Sequence, residues 1–348
     1  MGPKSKDSEI HNLNNSTESE SHYGHTEIDV DKLENETESS DPKEEKIQIS
    51  VRERFVWIKR ACCFHHGHAE RTRAYHVWPA NNVFFFGGRL ICGPDPRGLL
   101  LTTFSISLSS WVFAVYIGHS ALMITFSLIL TALVFVNLFL VSTIDPGIIP
   151  RNVQASIEEE EEQEGNNDQT RSMRIIVNGV ELKQKYCRIC KIFRPPRSCH
   201  CAICDNCIEN FDHHCPWTSQ CIGLRNYRFY MTFIFSAIAL YTYIFAFSCR
   251  RIQKIIWEDE NGFLGALSNC PETLAVAAFS VTAIAFLGGL GCYHLYLIAK
   301  NQTAYEYFRQ RFADSGNPFD KGVFKNFKEV FFMPLPPSRI DLTRILDE

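Results

Sequence analysis

Long apolar blocks, set apart by charged stretches, dominate the pattern of this 348-residue chain. Four such blocks fall at about residues 99–117, 121–141, 227–248 and 274–299. About 20 apolar residues suffice for a helix to cross the hydrocarbon core, and two of the blocks exceed that with room for tilt. Punctuation residues separate the blocks. Gly118-His119-Ser120 makes a tight turn between the first two, and Asp145-Pro146-Gly147 closes the second. Gly288, Gly289 and Gly291 in the fourth block offer a close-packing helix face. His294, near the end of that block, suits an interhelical contact or an interfacial position, and no role is assigned to it. The expectation is an all-α polytopic membrane protein with four transmembrane helices.

The basic residues orient these helices, because positive charge accumulates on the cytosolic side. Lys59, Arg60, Arg71, Arg73, Arg89 and Arg97 precede the first block. Arg188, Lys191, Arg194, Arg197, Arg225 and Arg228 lie between the second and third. The turn after the first block has no Lys or Arg, and Arg250, Arg251 and Lys254 after the third are followed by Glu258, Asp259 and Glu260. Both termini and the long central loop are therefore expected in the cytosol. The first fifty residues are polar and acidic and show no cleavable signal peptide, so the first helix should act as its own insertion signal. This stretch reads as a disordered tail. Gly2 invites a myristoylation reading, against which stand Lys6 and Pro3. The acidic run at 158–164 reads as a solvated linker. The cluster from Cys62 and Cys63 to His68 reads as a juxtamembrane loop, with metal binding, or lipid on the two cysteines, as alternatives.

The chemistry lies in the central loop. Of 14 cysteines, six fall into two Cys–His quartets of equal spacing. Cys187, Cys190, His200 and Cys207 form the first; adding fourteen to each number gives Cys201, Cys204, His214 and Cys221. Three thiolates and one imidazole make a closed tetrahedral zinc shell. Thiols this dense would form disulfides in an oxidising lumen, which again favours the cytosol. A segment of about 40 residues has too little apolar core to fold alone, whereas structural zinc supplies on the order of 10–16 kcal/mol. Asp212, His213 and Cys215 are left over, since their first-quartet equivalents are Ser198, Cys199 and Cys201. An imidazole can populate a neighbouring thiolate and a carboxylate can orient that imidazole, so Cys215 is a candidate nucleophile, with His213 as base and Asp212 as its partner. The alternative makes Asp212 and His213 hydrogen-bond partners of zinc ligands and Cys215 a spare thiol. Cys199 reads as a bystander.

Asp212-His213-His214-Cys215, with Pro216-Trp217, Cys221-Ile222-Gly223 and Asn226, resembles the DHHC family of protein S-acyltransferases. The resemblance takes in Arg194-Pro195-Pro196-Arg197, His200-Cys201, Asp145-Pro146-Gly147 and the carboxy-terminal series Asn317-Pro318, Gly322 and Asn326. The stretch 82–95 looks most like green-plant members. Two segments depart from the family: Thr303-Ala304-Tyr305-Glu306 has Ala for the second Thr of a TTxE motif, and Thr218-Ser219-Gln220 stands where a Val-x-Asn-like stretch is common. The resemblance implies a palmitoyltransferase with two structural zinc ions in a cytosolic cysteine-rich domain between helices 2 and 3. Cys215 would take a fatty acyl group from acyl-CoA and pass it to cysteines of cytosolic or peripheral membrane proteins. Arg225 or Arg228 could meet the phosphates of coenzyme A, or serve only as positive-inside anchors.

The expected divisions are an acidic tail at 1–53, a juxtamembrane segment at 54–98, helices 1 and 2 at 99–142 and a linker at 143–180. The zinc domain follows at 181–226, helices 3 and 4 at 227–299 and a carboxy-terminal tail at 300–348. Golgi, endoplasmic reticulum, plasma membrane and vesicles are all compatible with such a chain. No nucleic-acid partner is expected, and a transporter or channel is disfavoured because the blocks lack a series of ionisable residues. The competing class is a non-catalytic zinc-stabilised membrane adaptor.

Overall fold

A computed structural model of the chain describes residues 73–152, 172–258, 262–313 and 316–344. The acidic tail, Gly2, the Cys62, Cys63 and His68 cluster and the acidic run at 158–164 lie outside the described residues.

Four helices among the described residues are long and apolar enough to cross a bilayer. The first, α1 (Arg97–Val112), continues as a π-helical turn from Phe113 to Ile117, closed where the Gly118 N–H donates to the Phe113 carbonyl at 2.8 Å. Ser120 then caps α2 (Ala121–Thr143) by accepting from the Met123 N–H. The third, α3 (Tyr227–Glu258), has 32 residues and is roughly 48 Å long at 1.5 Å per residue. It runs past its apolar block because its last turns are amphipathic, carrying Arg250, Arg251 and Lys254. A short α4 (Gly262–Asn269) leads to α5 (Pro271–Ala299), which begins three residues ahead of its apolar block because Pro271 occupies the first helical turn.

The membrane core centres on α3, which packs against α2 and α5 through Met231, Ile234, Leu240 and Ile244, with Phe113, Val134 and Leu138 beside them. Hydroxyl and amide groups pin helices together where water is absent. Ser110 and Thr131 join α1 to α2 at 2.8 Å, and Thr232 donates to Asn137 at 2.7 Å between α3 and α2. The glycine face of α5 is narrower than the sequence suggests. A Cβ at Gly291 would meet Ile234 and Phe235 at 3.6 Å, whereas Gly288 and Gly289 have nothing within 4 Å.

Outside the helices the chain forms short antiparallel strands. β1 (Val83–Phe85) pairs with β2 (Leu90–Cys92). β3 (Ile148–Ile149) follows the second helix, and β4 (Ser172–Val177) forms a hairpin with β5 (Val180–Cys187). β6 (Ile192–Phe193), β7 (Cys199–Cys201), β8 (Asn206–Ile208), β9 (His213–Cys215) and β10 (Gln220–Ile222) complete the central segment. β8 lies between β3 and β7, which ties the end of the second helix to the cysteine-rich strands. Asp145 fixes that junction. Its Oδ1 accepts the N–H groups of Gly147 and Ile148, and its Oδ2 accepts Arg225 at 2.8 Å. Beyond α5 come α6 (Ala304–Phe308) and α7 (Val323–Phe332). Buried Asn326 donates to the Ala299 carbonyl and to Asp320, tying α7 to the end of α5.

Candidate active site

Three hairpins of one design build the site. In the first, Cys187 pairs with Ile192, Cys190 stands three residues on, and Lys191 takes a left-handed φ of 54°. In the second, Cys201 pairs with Asn206, followed in the same way by Cys204 and Asp205 at φ 56°. The third pairs Cys215 with Gln220 and places Thr218 and Ser219, φ 51°, in the matching positions. In the first two, the N–H of the second cysteine donates to the first sulfur at 3.4 and 3.5 Å. In the third, the Thr218 hydroxyl donates to the Cys215 carbonyl at 3.4 Å, and the Thr218 amide and hydroxyl both favour the Cys215 thiolate. Cys215 thus occupies the place of a first knuckle cysteine, and Thr218 stands where the second metal ligand would be.

The two quartets read from spacing are each assembled. Ligand atoms of Cys187, Cys190, His200 and Cys207 lie within 4.8 Å of one another, as do those of Cys201, Cys204, His214 and Cys221. His200 Nδ1 faces the sulfurs of Cys190 and Cys207 at 3.5 and 3.8 Å. His214 Nδ1 faces those of Cys201, Cys204 and Cys221 at 3.8, 3.4 and 3.5 Å. A tetrahedron with Zn–S bonds of about 2.3 Å has edges of roughly 3.7 Å, so these separations fit zinc. The ligand cysteines are free thiols and buried, and the Asp205 carboxylate lies 3.5 Å from His200 Nε2 without completing a hydrogen bond. Two Cys–His clusters can therefore each hold a metal ion.

Asp212 and His213 arrive on the strand beside Cys215. Asp212 is 2% exposed; its Oδ2 lies 2.6 Å from His213 Nδ1, and its Oδ1 accepts the Ala304 N–H at 2.7 Å. Burial pushes the Asp212 carboxyl up, but the His213 hydrogen bond and charge and the Ala304 amide outweigh it and hold the group below its ordinary value. For His213, burial disfavours the charged ring, yet hydrogen bonds to Asp212 and Cys215 prevail and raise it to about 10. Cys215 shows the same contest. Burial raises its thiol, whereas His213 and both Thr218 donors lower it below the ordinary value. Cys92 supplies the contrast: burial without such partners drives its thiol up to about 11. The arrangement favours a thiolate, an imidazolium and a carboxylate in series.

Several residues noted in the sequence hold this geometry through contacts that the sequence does not show. The β1–β2 hairpin braces the loop after Cys215: Gln220 Nε2 donates to the Ile91 carbonyl at 2.7 Å, and the Gly93 N–H donates to the Ser219 carbonyl at 2.7 Å. Gln220 and the 82–95 stretch, two separate peculiarities in the sequence, are therefore parts of one contact. Ala304 serves Asp212 through its backbone, which an alanine supplies as well as a threonine. Arg225 and Arg228 bond the carbonyls of Pro336 and Met333, and Arg225 also bonds Asp145, so both guanidinium groups are engaged by the protein. His294 reaches the dyad: its donor atom lies within 4.8 Å of those of Asp212 and His213. Metal binding does not suit this trio, because both Asp212 oxygens and His213 Nδ1 are already hydrogen-bonded. Carrying the fourteen-residue offset one step further, from 187 and 201 to 215, would have revealed the third knuckle; His294 and Gln220 stand out in the sequence, but nothing local names their partners.

Membrane-crossing helices, paired metal knuckles and a buried Cys–His–Asp series together define a multi-pass membrane protein with a thiol site where strands meet helices. Residues 180–311 match the DHHC palmitoyltransferase family. Over 287 residues the chain is 43% identical to probable protein S-acyltransferase 5 of Arabidopsis thaliana, covering 76% of this chain and 60% of that protein. For probable protein S-acyltransferase 6 of the same plant the identity is 44%, over 77% of this chain and 69% of the relative. Probable protein S-acyltransferase 1 is 39% identical over 78% of this chain and 85% of its own length. The chain spans about three fifths of the first of these relatives. It belongs to the DHHC palmitoyltransferase family, and its similarity to plant members agrees with the sequence resemblance.

Proposed function

We propose that the chain is a protein-cysteine S-acyltransferase that carries the acyl group on Cys215. The observation that carries this reading is the third knuckle, where Thr218 stands in place of a second metal ligand. It presents Cys215 to His213, which is held by Asp212 at 2.6 Å. The Cys215 thiolate attacks the carbonyl carbon of a fatty acyl-CoA, a new C–S bond forms, and the C–S bond to coenzyme A breaks. His213 gives its proton to the departing thiolate. In the second half, His213 takes the proton of an acceptor cysteine, whose sulfur attacks the Cys215 thioester and releases the Cys215 thiolate. Asp212 keeps Nδ1 of His213 occupied, so the other ring nitrogen faces the sulfur in both halves. Reactant, intermediate and product are all thioesters, so the exchange is nearly balanced. Zinc in the two quartets would stiffen the hairpins and take no part in the acyl transfer.

The site adjoins α3, so the acyl chain would lie among the four helices while coenzyme A and the acceptor protein approach from outside the bilayer. The basic loops support a topology with both termini and the cysteine-rich strands in the cytosol, facing soluble or peripheral membrane proteins. Golgi, endoplasmic reticulum, plasma membrane and vesicles all offer that geometry. The test is labelling of purified protein with a clickable palmitoyl-CoA analogue, wild type against Cys215→Ser. Hydroxylamine-sensitive label that disappears in the variant supports the reading. Absence of label on a folded, zinc-loaded wild type sinks it and moves the adaptor reading to first place.

A further inference from the structure

Among the described residues of the four membrane helices, His294 is the only His, Asp, Glu, Lys or Arg that is buried, at 2% exposure. An imidazole enclosed in a helix bundle is costly unless its nitrogens are bonded, and such a residue marks a functional place in the fold. Both nitrogens of His294 are engaged by tyrosines of α3. The Tyr227 hydroxyl lies 3.0 Å from Nδ1, and the Tyr230 hydroxyl lies 3.5 Å from Nε2. Tyr227 and Tyr230 are three residues apart, so they share a face of α3 one turn beyond the catalytic loop. One tyrosine must donate to the ring and the other must accept from it, so the ring and both hydroxyls fix each other's orientation.

Two of these rings, Tyr230 and His294, flank His213, while Tyr227 holds His294 from its other side. Tyr230 meets His213 edge to face at 5.3 Å between centroids, and the His294 ring stands 6.0 Å away. His294 and Tyr230 are themselves edge to face at 5.2 Å. Asp212 holds His213 at Nδ1, and what packs against the ring faces sets how the other nitrogen is aimed at Cys215. The Tyr230–His294 pair supplies that packing. We propose that His294 is a positioning residue. Through Tyr227 and Tyr230 it locks the His213 ring between Asp212 and Cys215, and so makes the reactivity of Cys215 depend on where α5 sits against α3. This rests on the acyltransferase reading above. It implies that His294 sets the rate of acyl-enzyme formation while leaving acyl-CoA binding alone, since its side chain is enclosed by protein.

The experiment measures single-turnover acylation of full-length protein in detergent at increasing palmitoyl-CoA, with rates normalised to folded, zinc-loaded protein. His294→Phe keeps an aromatic ring, a somewhat larger one, and removes both nitrogens; His294→Gln keeps a donor and an acceptor. Misplacement of a catalytic group by about 1 Å costs on the order of 100-fold. The maximal rate of His294→Phe should therefore fall about tenfold or more, with half-saturation within about twofold of wild type, and His294→Gln should recover part of the loss. Tyr227→Phe, which removes one hydroxyl, should fall in the same direction, and the double variant with His294→Phe should be no worse than His294→Phe alone. Should His294→Phe not fold, Tyr227→Phe and His294→Gln carry the test. A wild-type maximal rate in the folded variants, or a change confined to half-saturation, overturns the proposal. A wild type that forms no thioester at Cys215 overturns the acyltransferase reading instead, so the two failures are told apart.

Discussion

Breaking the ion pair between Arg197 and Glu306 should unfold the carboxy-terminal segment and slow the chemistry together. Arg197 takes a left-handed φ of 65° after Pro195-Pro196 and sends its guanidinium into the junction between zinc hairpins and tail. Its Nε and Nη2 donate to the two oxygens of Glu306 at 3.0 and 2.8 Å, Nη1 and Nη2 reach Asn301, and the Phe319 ring lies 4.7 Å beneath. Side-chain exposures of 10% for Arg197 and 1% for Glu306 leave little water to replace a lost partner. Removing one member of a buried, fully bonded pair costs about 3–5 kcal/mol, because the other charge is stranded. Glu306→Ala should cost that much. Arg197→Met with Glu306→Leu should cost less than the sum of the single changes, because neither charge then remains. Glu306 also accepts the Thr303 N–H in the capping box of α6, whose first residue donates to Asp212. Losing that hydrogen bond to a carboxylate is worth about 1.5–3 kcal/mol, or roughly 10- to 100-fold in the acylation rate. The assays are thermal unfolding in detergent and single-turnover acylation. An unchanged melting temperature in Glu306→Ala, or strict additivity in the double variant, would refute the reasoning.

Three other perturbations separate scaffold from chemistry. Cys187→Ala or His200→Ala should lower bound zinc by about one ion per chain and destabilise the protein, since a structural site holds on the order of 10–16 kcal/mol; Cys215→Ser should keep both ions, which elemental analysis of purified protein checks. Gln220→Leu leaves the Ile91 carbonyl and the Cys221 N–H without their side-chain partner at a fully buried position, a loss of about 1–3 kcal/mol each, to be read from the unfolding midpoint. Gly98→Ala would set a Cβ 2.2 Å from the Pro216 carbonyl oxygen, one residue past Cys215, so the loop must move and acylation should drop about tenfold or more. Gly288→Ala, whose Cβ meets nothing within 4 Å, is the neutral control.

The sequence carried the zinc ligands and the Asp212, His213 and Cys215 series because metal geometry imposes a spacing that survives in one dimension. Four apolar blocks likewise carried the helices, while their ends were set by residues outside hydropathy: Pro271 advanced α5, and an amphipathic run lengthened α3. The β4–β5 hairpin, which crosses the expected boundary between linker and zinc domain, was not foreseen, although its turn carries a local signal. Asn178-Gly179, with φ values of 48° and 82°, is the pair a tight hairpin turn demands, set within alternating apolar and polar residues. Contacts across distant parts of the chain were not legible. Gln220 and Ile91 are 129 positions apart, and His294 and Tyr227 are 67 apart, so no local pattern could join them.

On the proposed function, the third knuckle lets one fold serve both metal binding and acyl transfer. A thiolate in a knuckle turn is stabilised by the amide three residues on, whether a metal or a reacting carbon comes next. What separates the two fates is the neighbouring ligand set. Cys187 and Cys201 each have a second cysteine, a third cysteine and a histidine converging on one point, and such a set takes zinc and silences the sulfur. Cys215 has Thr218 where the second cysteine would stand, while Cys221 and His214 on its own hairpin are committed to the neighbouring quartet. Short of ligands, the sulfur stays free, and His213 with Asp212 replaces the metal as its source of positive charge. The interleaving that lets two metal sites share one segment thereby also leaves the third sulfur outside both ligand sets, as the proposed acyl carrier must be.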